Sequence, residues 1–385
     1  MKKVYICGLC ASAKGLLRSL LDGHHDIANY DFDIGISLLK DEFRKYCSRP
    51  RDAFLEKMYN SKAISNVSIS INIDGIPQTV TAGELFVYLF SIDGKCRDIF
   101  DVSLSGKKLV SETDDQITSK DYQFDVFGFL KSFAGRILSI KEFDSIEHLQ
   151  DTLYRCVINN SEILKSNYSE KSLFVQSSYN GYEIIEKILQ RNKNRKIIAV
   201  VRDPVALCFT NYKRVIGKYG RSKESRGLIL RYLYNKYNPN LYSKGFINKV
   251  RHYNESVLKL SQTEKDVYVV KTEDIICNTK NAMDGVADFL GIEKQDILYK
   301  PTFDGVLTRS GTMHSTGKII DDPYKMLTSD QINMLKYLFY GWNQIETFND
   351  KVKTVYNLSI LKVMNSNLFQ RSFVALRDKM RMVRS

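Results

Sequence analysis

No apolar run in this 385-residue chain approaches the roughly 20 residues that a membrane-spanning helix needs, which argues against an integral membrane protein. Cysteine is sparse and unordered. Seven residues, an odd number without regular spacing, do not make the disulfide framework of a small secreted domain. No internal repeat is visible, so a solenoid or propeller is not indicated. The opening MKKVYICGLC carries two lysines, but its apolar stretch is shorter than the core of a signal peptide and runs straight into glycine. The expectation is a cytoplasmic protein.

Acidic residues are scarce in two segments. Between Lys213 and Arg251 stand eleven Lys or Arg and one acid, Glu224; from Lys351 to the end there are eight against Asp378 alone. These stretches account for more than the whole net charge of +13. Clustered basic charge concentrates anionic partners around it, although each cluster taken alone could be an ordinary solvated face. With 43% hydrophobic and 26% charged residues, the remainder reads as a globular chain with a substantial core.

The order of elements points to a parallel α/β sheet. KVYIC (3–7) reads as a buried strand, and SAKGLLRSLL after it has apolar residues at helical spacing, ending near Asp22-Gly23. NVSISINIDGIPQTVT (66–81) alternates around Asp74-Gly75, a strong hairpin signal. Helical patterns follow at 82–90, 125–133 and 146–158. The hairpin and these helices form an insertion, about 45–150, between the first strand–helix unit and the rest of the sheet. SLFVQS (172–177), KIIAVV (196–201) and DVYVVK (266–271) read as further strands, separated by helices at GYEIIEKILQR, from about Pro204 to Ile216, and in the tyrosine-rich stretch 222–263. A helix over 279–292 ends near Gly291, 300–327 reads as loop, and 329–341 as helix. Strands alternating with helices imply a parallel sheet. One α/β domain is expected over 1–350, with 351–385 as a basic amphipathic tail.

Two strand-to-helix junctions carry candidate chemistry. In the first, Gly8-Leu-Cys-Ala-Ser-Ala-Lys14-Gly15, small residues sit where a helix begins and backbone N–H groups are left over. That is an anion site, and Lys14 adds a charge that is unfavourable there unless an anion is bound. It is not a Walker A loop: Ala13 replaces the second glycine, and Gly15 replaces the hydroxyl that would hold magnesium. In the second, VVRDPVALCFTNYKR (200–214), Asp203 suits an N-cap and Pro204 a first helical turn. Thr210 and Arg214 share a helix face, and Arg202 stands just past the strand end, where an arginine can grip phosphate with two hydrogen bonds.

Taken together and in this order, the two loops resemble those of sulfotransferases that use 3′-phosphoadenosine-5′-phosphosulfate (PAPS). GLCASAKGLL, followed by LLDGHHDI, is similar to the family's 5′-phosphosulfate loop. VRDPVALCFTNY is similar to its 3′-phosphate motif, with Thr210 in place of a serine, and VVKTEDIICNTKNAMDGVADFLGI resembles its strand, acidic loop and FLGI helix. The first loop departs from the pattern: Ala11 stands where a basic residue is usual, and Lys14 comes three places later. The lysine often found after the strand near 174 is absent, since Gln176-Ser177-Ser178-Tyr179 stands there. The likeness covers roughly 1–30 and 170–345.

This resemblance implies a P-loop NTPase-like three-layer sandwich around a central parallel sheet, and a sulfotransferase of the bacterial glycan-modifying kind. Sulfonate would pass from PAPS to a carbohydrate hydroxyl, leaving adenosine 3′,5′-bisphosphate, without a metal. Ala11, Ser12, Ala13, Lys14, Gly15 and Leu16 would hold the phosphosulfate, with Lys14 also stabilising transferring charge. Arg202 and Thr210 would hold the 3′-phosphate. Arg309 and Lys318, in KPTFDGVLTRSGTMHSTGK (300–318), would close over the nucleotide. Asp33 is the candidate general base; Asp31, Glu42 and His25 are its rivals.

Six tyrosines among the basic residues (212, 219, 232, 234, 237 and 242) suit a polar or acidic glycan acceptor, and no specific nucleic acid is expected. The tail packs on the body or makes peripheral contact with the inner face of the membrane. Cys7-Gly-Leu-Cys10 has no second pair for a zinc site and His24-His25 has no ligands at metal spacing. Two other readings remain at this point: a nucleotide-dependent phosphotransferase of related fold, and a non-catalytic polyanion- or nucleic-acid-binding protein.

Overall fold

The computed structural model describes residues 2–9, 12–29, 67–73, 75–82, 109–110, 116–117, 126–159, 173–179, 181–191, 194–219, 241–303, 306–307, 316–317, 322–341, 344–345 and 347–364. In chain order the strands are β1 (Lys2–Gly8), β2 (Ile27–Asn29), β3 (Ser68–Ile73), β4 (Ile76–Thr81), β5 (Leu109–Val110), β6 (Gln116–Ile117), β7 (Glu142–Phe143), β8 (Leu173–Tyr179), β9 (Arg195–Val201) and β10 (Val267–Lys271), with two-residue strands at Thr302–Phe303 and Val306–Leu307. The helices are α1 (Lys14–Leu21), α2 (Val126–Ile140), α3 (Ile146–Asn159), α4 (Tyr182–Arg191), α5 (Pro204–Tyr219), α6 (Lys244–Thr263), α7 (Thr272–Cys277), α8 (Thr279–Leu290), α9 (Pro323–Met326), α10 (Ser329–Tyr340) and α11 (Phe348–Met364). Of the helix expected at 82–90, all but Ala82 lies outside the described residues.

By its contacts the chain divides into two compact units, one of residues 1–9, 13–201 and 257–318, the other of 10–12, 202–256 and 319–385. The first holds a five-stranded sheet in the order β10-β9-β1-β8-β2, every neighbouring pair parallel. Parallel sheets are covered on both faces, so their strands are apolar throughout rather than alternating. β1 shows this: Val4 and Ile6 enter the same cluster as Leu16, Leu17, Leu20 and Leu21 of α1 and Met283, Val286 and Leu290 of α8, while Tyr5 and Cys7, pointing the other way, are equally buried. Lys3, also on that second side, is 3% exposed and its Nζ lies 2.8 Å from the Asp151 carboxylate of α3. β2 was not foreseen. Three residues are too few to show a period, yet Ile27–Asn29 extend the sheet beside Leu173–Val175.

The hairpin forms as its Asp-Gly turn requires: Gly75 has φ +79° and Ile73 pairs with Ile76. β7 joins β3 in parallel, so hairpin and insertion build a separate three-stranded sheet, β4-β3-β7. The acidic stretch after β10 is a helix rather than a loop. α7 takes Glu273 and Asp274 into its first turn, where carboxylates complement the helix dipole. The FLGI segment is a Schellman C-cap: Gly291, at φ 71°, sends its N–H to Asp288 O, and Ile292 N–H reaches Ala287 O.

The second unit packs Val205 and Cys208 of α5 against Leu241, Tyr242 and Ile247, and against Met334 and Leu335 of α10. Asp203 caps α5 as expected, its Oδ1 accepting the Ala206 N–H at 2.7 Å. Its Oδ2 accepts from the Tyr324 hydroxyl of α9 at 3.1 Å. A Thr328/Gln331 capping box starts α10.

Candidate functional site

β1 ends at Gly8 and α1 starts at Lys14, with Ser12 buried and Ala13 in the left-handed region at φ 55°, ψ 25°. A non-glycine residue there costs about 1 kcal/mol. The turn holds because Ala13 O accepts the Leu17 N–H at 3.0 Å. Ala13 caps α1 without a side-chain bond, so no hydroxyl or carboxylate of its own competes for the helix's leading N–H groups. Leu16 is in the core, and only its backbone can serve an anion. Lys14 folds back over the loop, and its Nζ donates to the Gly8 carbonyl at 2.8 Å. Ala11 and Cys10 lie outside the described residues. Cys7 is fully buried, and burial pushes its thiol up to about 12 despite the pull of Lys14. Cys7 therefore stays a thiol at neutral pH, an inert buried strand residue.

The second junction leaves the sheet beside the first. β1 and β9 are parallel neighbours, and Gly8 registers with Val200. Two residues later comes Arg202, half-buried, followed by the capped start of α5. Thr210 stands one turn after Ala206 and donates its hydroxyl proton to the Ala206 carbonyl at 2.9 Å. To donate to a phosphate it must turn about χ1, which a threonine in a helix can do. The side chain of Arg214 lies outside the described residues, as do Asp33, Asp31, Glu42, Arg309 and Lys318.

The 300–318 loop is anchored at both described ends. Thr302, wholly buried, places its hydroxyl 2.8 Å from Asp22 O and 2.9 Å from Asp22 Oδ2 at the end of α1. Gly317, at φ 93°, gives its N–H to Ile276 O of α7. Nothing in the sequence announces a partnership between residues 22 and 302; only the fold brings them together.

His24 and His25 are resolved as different kinds of residue. His24 is buried. Its Nδ1 accepts the Asp26 N–H at 3.1 Å, so the proton sits on Nε2 and is donated to Glu293 O at 2.9 Å. Both ring nitrogens are used, and no lone pair is left for a metal, although His24, His25 and Asp26 lie within ligand distance of one another. His25 is exposed, stacked on His24 at 4.8 Å, between the Gln295 amide and Asp26. Burial lowers the His24 pKa below its ordinary 6.5, outweighing the Glu293 carbonyl that raises it. The stability contributed by neutral His24 is therefore complete above 6.5 and lost as the pH falls below it, because the unfolded chain then binds the proton more readily. Urea unfolding at about pH 7.5 and about pH 5 is expected to show a smaller loss on acidification in His24→Gln than in the parent. An equal loss in both places the titrating group elsewhere.

Of the six interleaved tyrosines, Tyr242 is not available as an aromatic platform and Tyr212 is half-buried. Tyr242 is buried and Tyr212 packs on the same core, both filling space between α5 and α10. Burial raises the Tyr242 hydroxyl well above the ordinary phenol range. Lys213 lies over the Phe209 ring at 5.8 Å.

Residues 102–322 match the family described as the sulfotransferase domain. The chain belongs to that family. The match takes in β8, β9, β10, Arg202, Thr210 and the FLGI cap, begins inside the insertion, and leaves the first loop outside its bounds. Among solved structures, the sulfotransferase is similar to the sulfotransferase domain of the Synechococcus PCC 7002 olefin synthase, at 15% identity over 93% of this chain and 94% of that one, with a TM-score of 0.33. It is similar to the sulfotransferase domain of the curacin biosynthetic pathway at 15% identity, 94% and 97% coverage and a TM-score of 0.33. Sulfotransferase STF9 of Mycobacterium avium matches at 11% identity, 77% and 66% coverage, with a TM-score of 0.33. No curated protein sequence matches the chain. The sulfotransferase is thus an α/β enzyme of P-loop-like fold that transfers sulfonate.

Proposed function

We propose that this sulfotransferase takes sulfonate from PAPS and delivers it to a carbohydrate hydroxyl. The observation that carries the donor assignment is the register of Gly8 against Val200, from which both anion-binding loops spring at neighbouring carboxyl ends of one parallel sheet. Ligands of open α/β sheets bind outside such strand ends. The loop from 11 to 16 would take the 5′-phosphosulfate on backbone N–H groups, and Lys14 would add charge. Arg202 and Thr210 would take the 3′-phosphate, with Arg309 and Lys318 closing over the nucleotide.

In the reaction the acceptor oxygen attacks sulfur as the bond from sulfur to the phosphate oxygen breaks, and adenosine 3′,5′-bisphosphate leaves. The hydroxyl proton passes to a general base, for which Asp33 is our candidate. Charge grows on the bridging oxygen and shifts over the sulfonate oxygens. Positioned donors at Lys14 and the helix start meet it there, and no metal is required. The carbohydrate half of the assignment is supported by the basic stretch from Lys213 to Arg251, where Lys213, Lys244 and Lys249 are exposed and can meet acidic sugars.

Calorimetry with adenosine 3′,5′-bisphosphate tests the donor. Arg202→Ala is expected to weaken binding by about 30- to 100-fold, the loss of one charge-assisted grip on phosphate. No heat at millimolar nucleotide in the parent enzyme would overturn the assignment, and salt-sensitive binding of any polyanion instead would favour a non-catalytic polyanion binder. For the acceptor, radiolabelled PAPS is incubated with a panel of glycans and lipids. Label appearing only on non-carbohydrate acceptors removes the carbohydrate reading and leaves the donor intact.

A further inference from the structure

Helix α11 is built inside out. Thr354 and Asn357 are 1% and 7% exposed, whereas Val352, Val355 and Tyr356 are 51%, 49% and 65% exposed. The buried side packs on α10, with Leu358 reaching the second unit's core and Thr354 donating to Asp350 O at 2.6 Å. Residues 352, 355 and 356 follow the spacing that puts side chains on one face, so three apolar groups form a single stripe turned away from the body. Lys351 and Lys353 lie about 100° to either side of Val352 on the helical wheel, so a cation borders the stripe on each side. From Lys351 onward the chain carries eight basic residues and one acid. No described helix is long and apolar enough to cross a membrane.

We propose that α11 seats this enzyme on the surface of an anionic lipid bilayer, with Val352, Val355 and Tyr356 dipping into the interface and Lys351 and Lys353 resting among acidic headgroups. An apolar stripe bordered by lysines is the pattern of a helix that lies in the interfacial plane. A folded partner protein would need only the stripe; the cationic borders and the basic continuation match an anionic lipid surface. The inference is independent of the sulfonate acceptor, since none of the residues assigned to PAPS belongs to α11.

Flotation of the full-length protein with phosphatidylcholine vesicles containing about 30% phosphatidylglycerol tests it. The parent is expected to float with these and to stay behind with phosphatidylcholine alone. The double variant Val355→Ser/Tyr356→Ser should lose about tenfold in partitioning at unchanged circular dichroism, as both side chains are already exposed. Lys351→Gln/Lys353→Gln should lose about thirtyfold, with added salt giving the same loss in the parent. Vesicle binding that the serine variant leaves intact would overturn the proposal. So would concentration-dependent self-association of the parent that the serine variant abolishes, because the stripe would then be a contact between two copies.

Discussion

Lys14→Met is expected to lower sulfonate transfer by about a hundredfold or more while leaving the fold nearly as stable as before. Losing one positioned donor to a developing oxyanion costs two to three orders of magnitude in well-studied acyl transfer, and the sulfonate oxygens pose the same electrostatic problem. The stability side nearly cancels. A cation in the first turn of α1 opposes the helix dipole by about 0.5 kcal/mol, and its removal relieves that. The same change deletes the bond from Nζ to the Gly8 carbonyl, worth about 1 kcal/mol. Methionine keeps the stem, so packing over the loop changes little. Initial rates with labelled PAPS, beside urea midpoints for both proteins, separate the two effects. A variant within threefold of the parent rate would show that the helix start and its backbone carry the charge without Lys14.

Asp151→Ala is expected to destabilise the first unit by about 3 kcal/mol, the largest effect on stability foreseen for a single surface-reaching side chain. The ion pair joins β1 of the main sheet to α3, and its lysine end is almost completely enclosed. Truncating the partially exposed carboxylate leaves the Lys3 ammonium without its partner in a nearly enclosed setting, into which water must be drawn to hydrate it. The pair itself adds little over an apolar substitute. Lys3→Met/Asp151→Leu should therefore recover most of what Asp151→Ala loses, and its urea midpoint should return towards the parent's. If the double variant is as unstable as the single one, the loss lies in packing at α3 rather than in the stranded charge.

Both strand-to-helix junctions were legible from the sequence because each compresses its signal into a few residues: a short apolar run, a turn, then the start of a helix. Asp203-Pro204 and FLGI are cap motifs whose bonds form between residues three to five apart, so the chain announces them locally. Asp74-Gly75 declares its hairpin for the same reason. What stayed hidden is held by distance. The Thr302 hydroxyl means nothing until α1 ends beside it. The pairing of β7 with β3 joins residues 142–143 to residues 70–71. His24 has no evident role in the sequence until a carbonyl from residue 293 meets its Nε2. Tyr212 and Tyr242 read as part of an acceptor surface because basic neighbours surround them in sequence, yet in space Tyr242 lies in the core that α5 and α10 share and Tyr212 packs against it.

The position of β1 in the middle of the five-stranded sheet carries a cost at the ribosome. Its two flanking strands, β8 and β9, come between residues 173 and 201, so KVYIC emerges long before anything exists for it to hydrogen-bond. At ordinary translation speeds that interval lasts roughly ten to forty seconds. Throughout it, a stretch of pure β-forming sequence stands with both edges open, and the nascent enzyme is a natural client for whatever shields such segments in the cell.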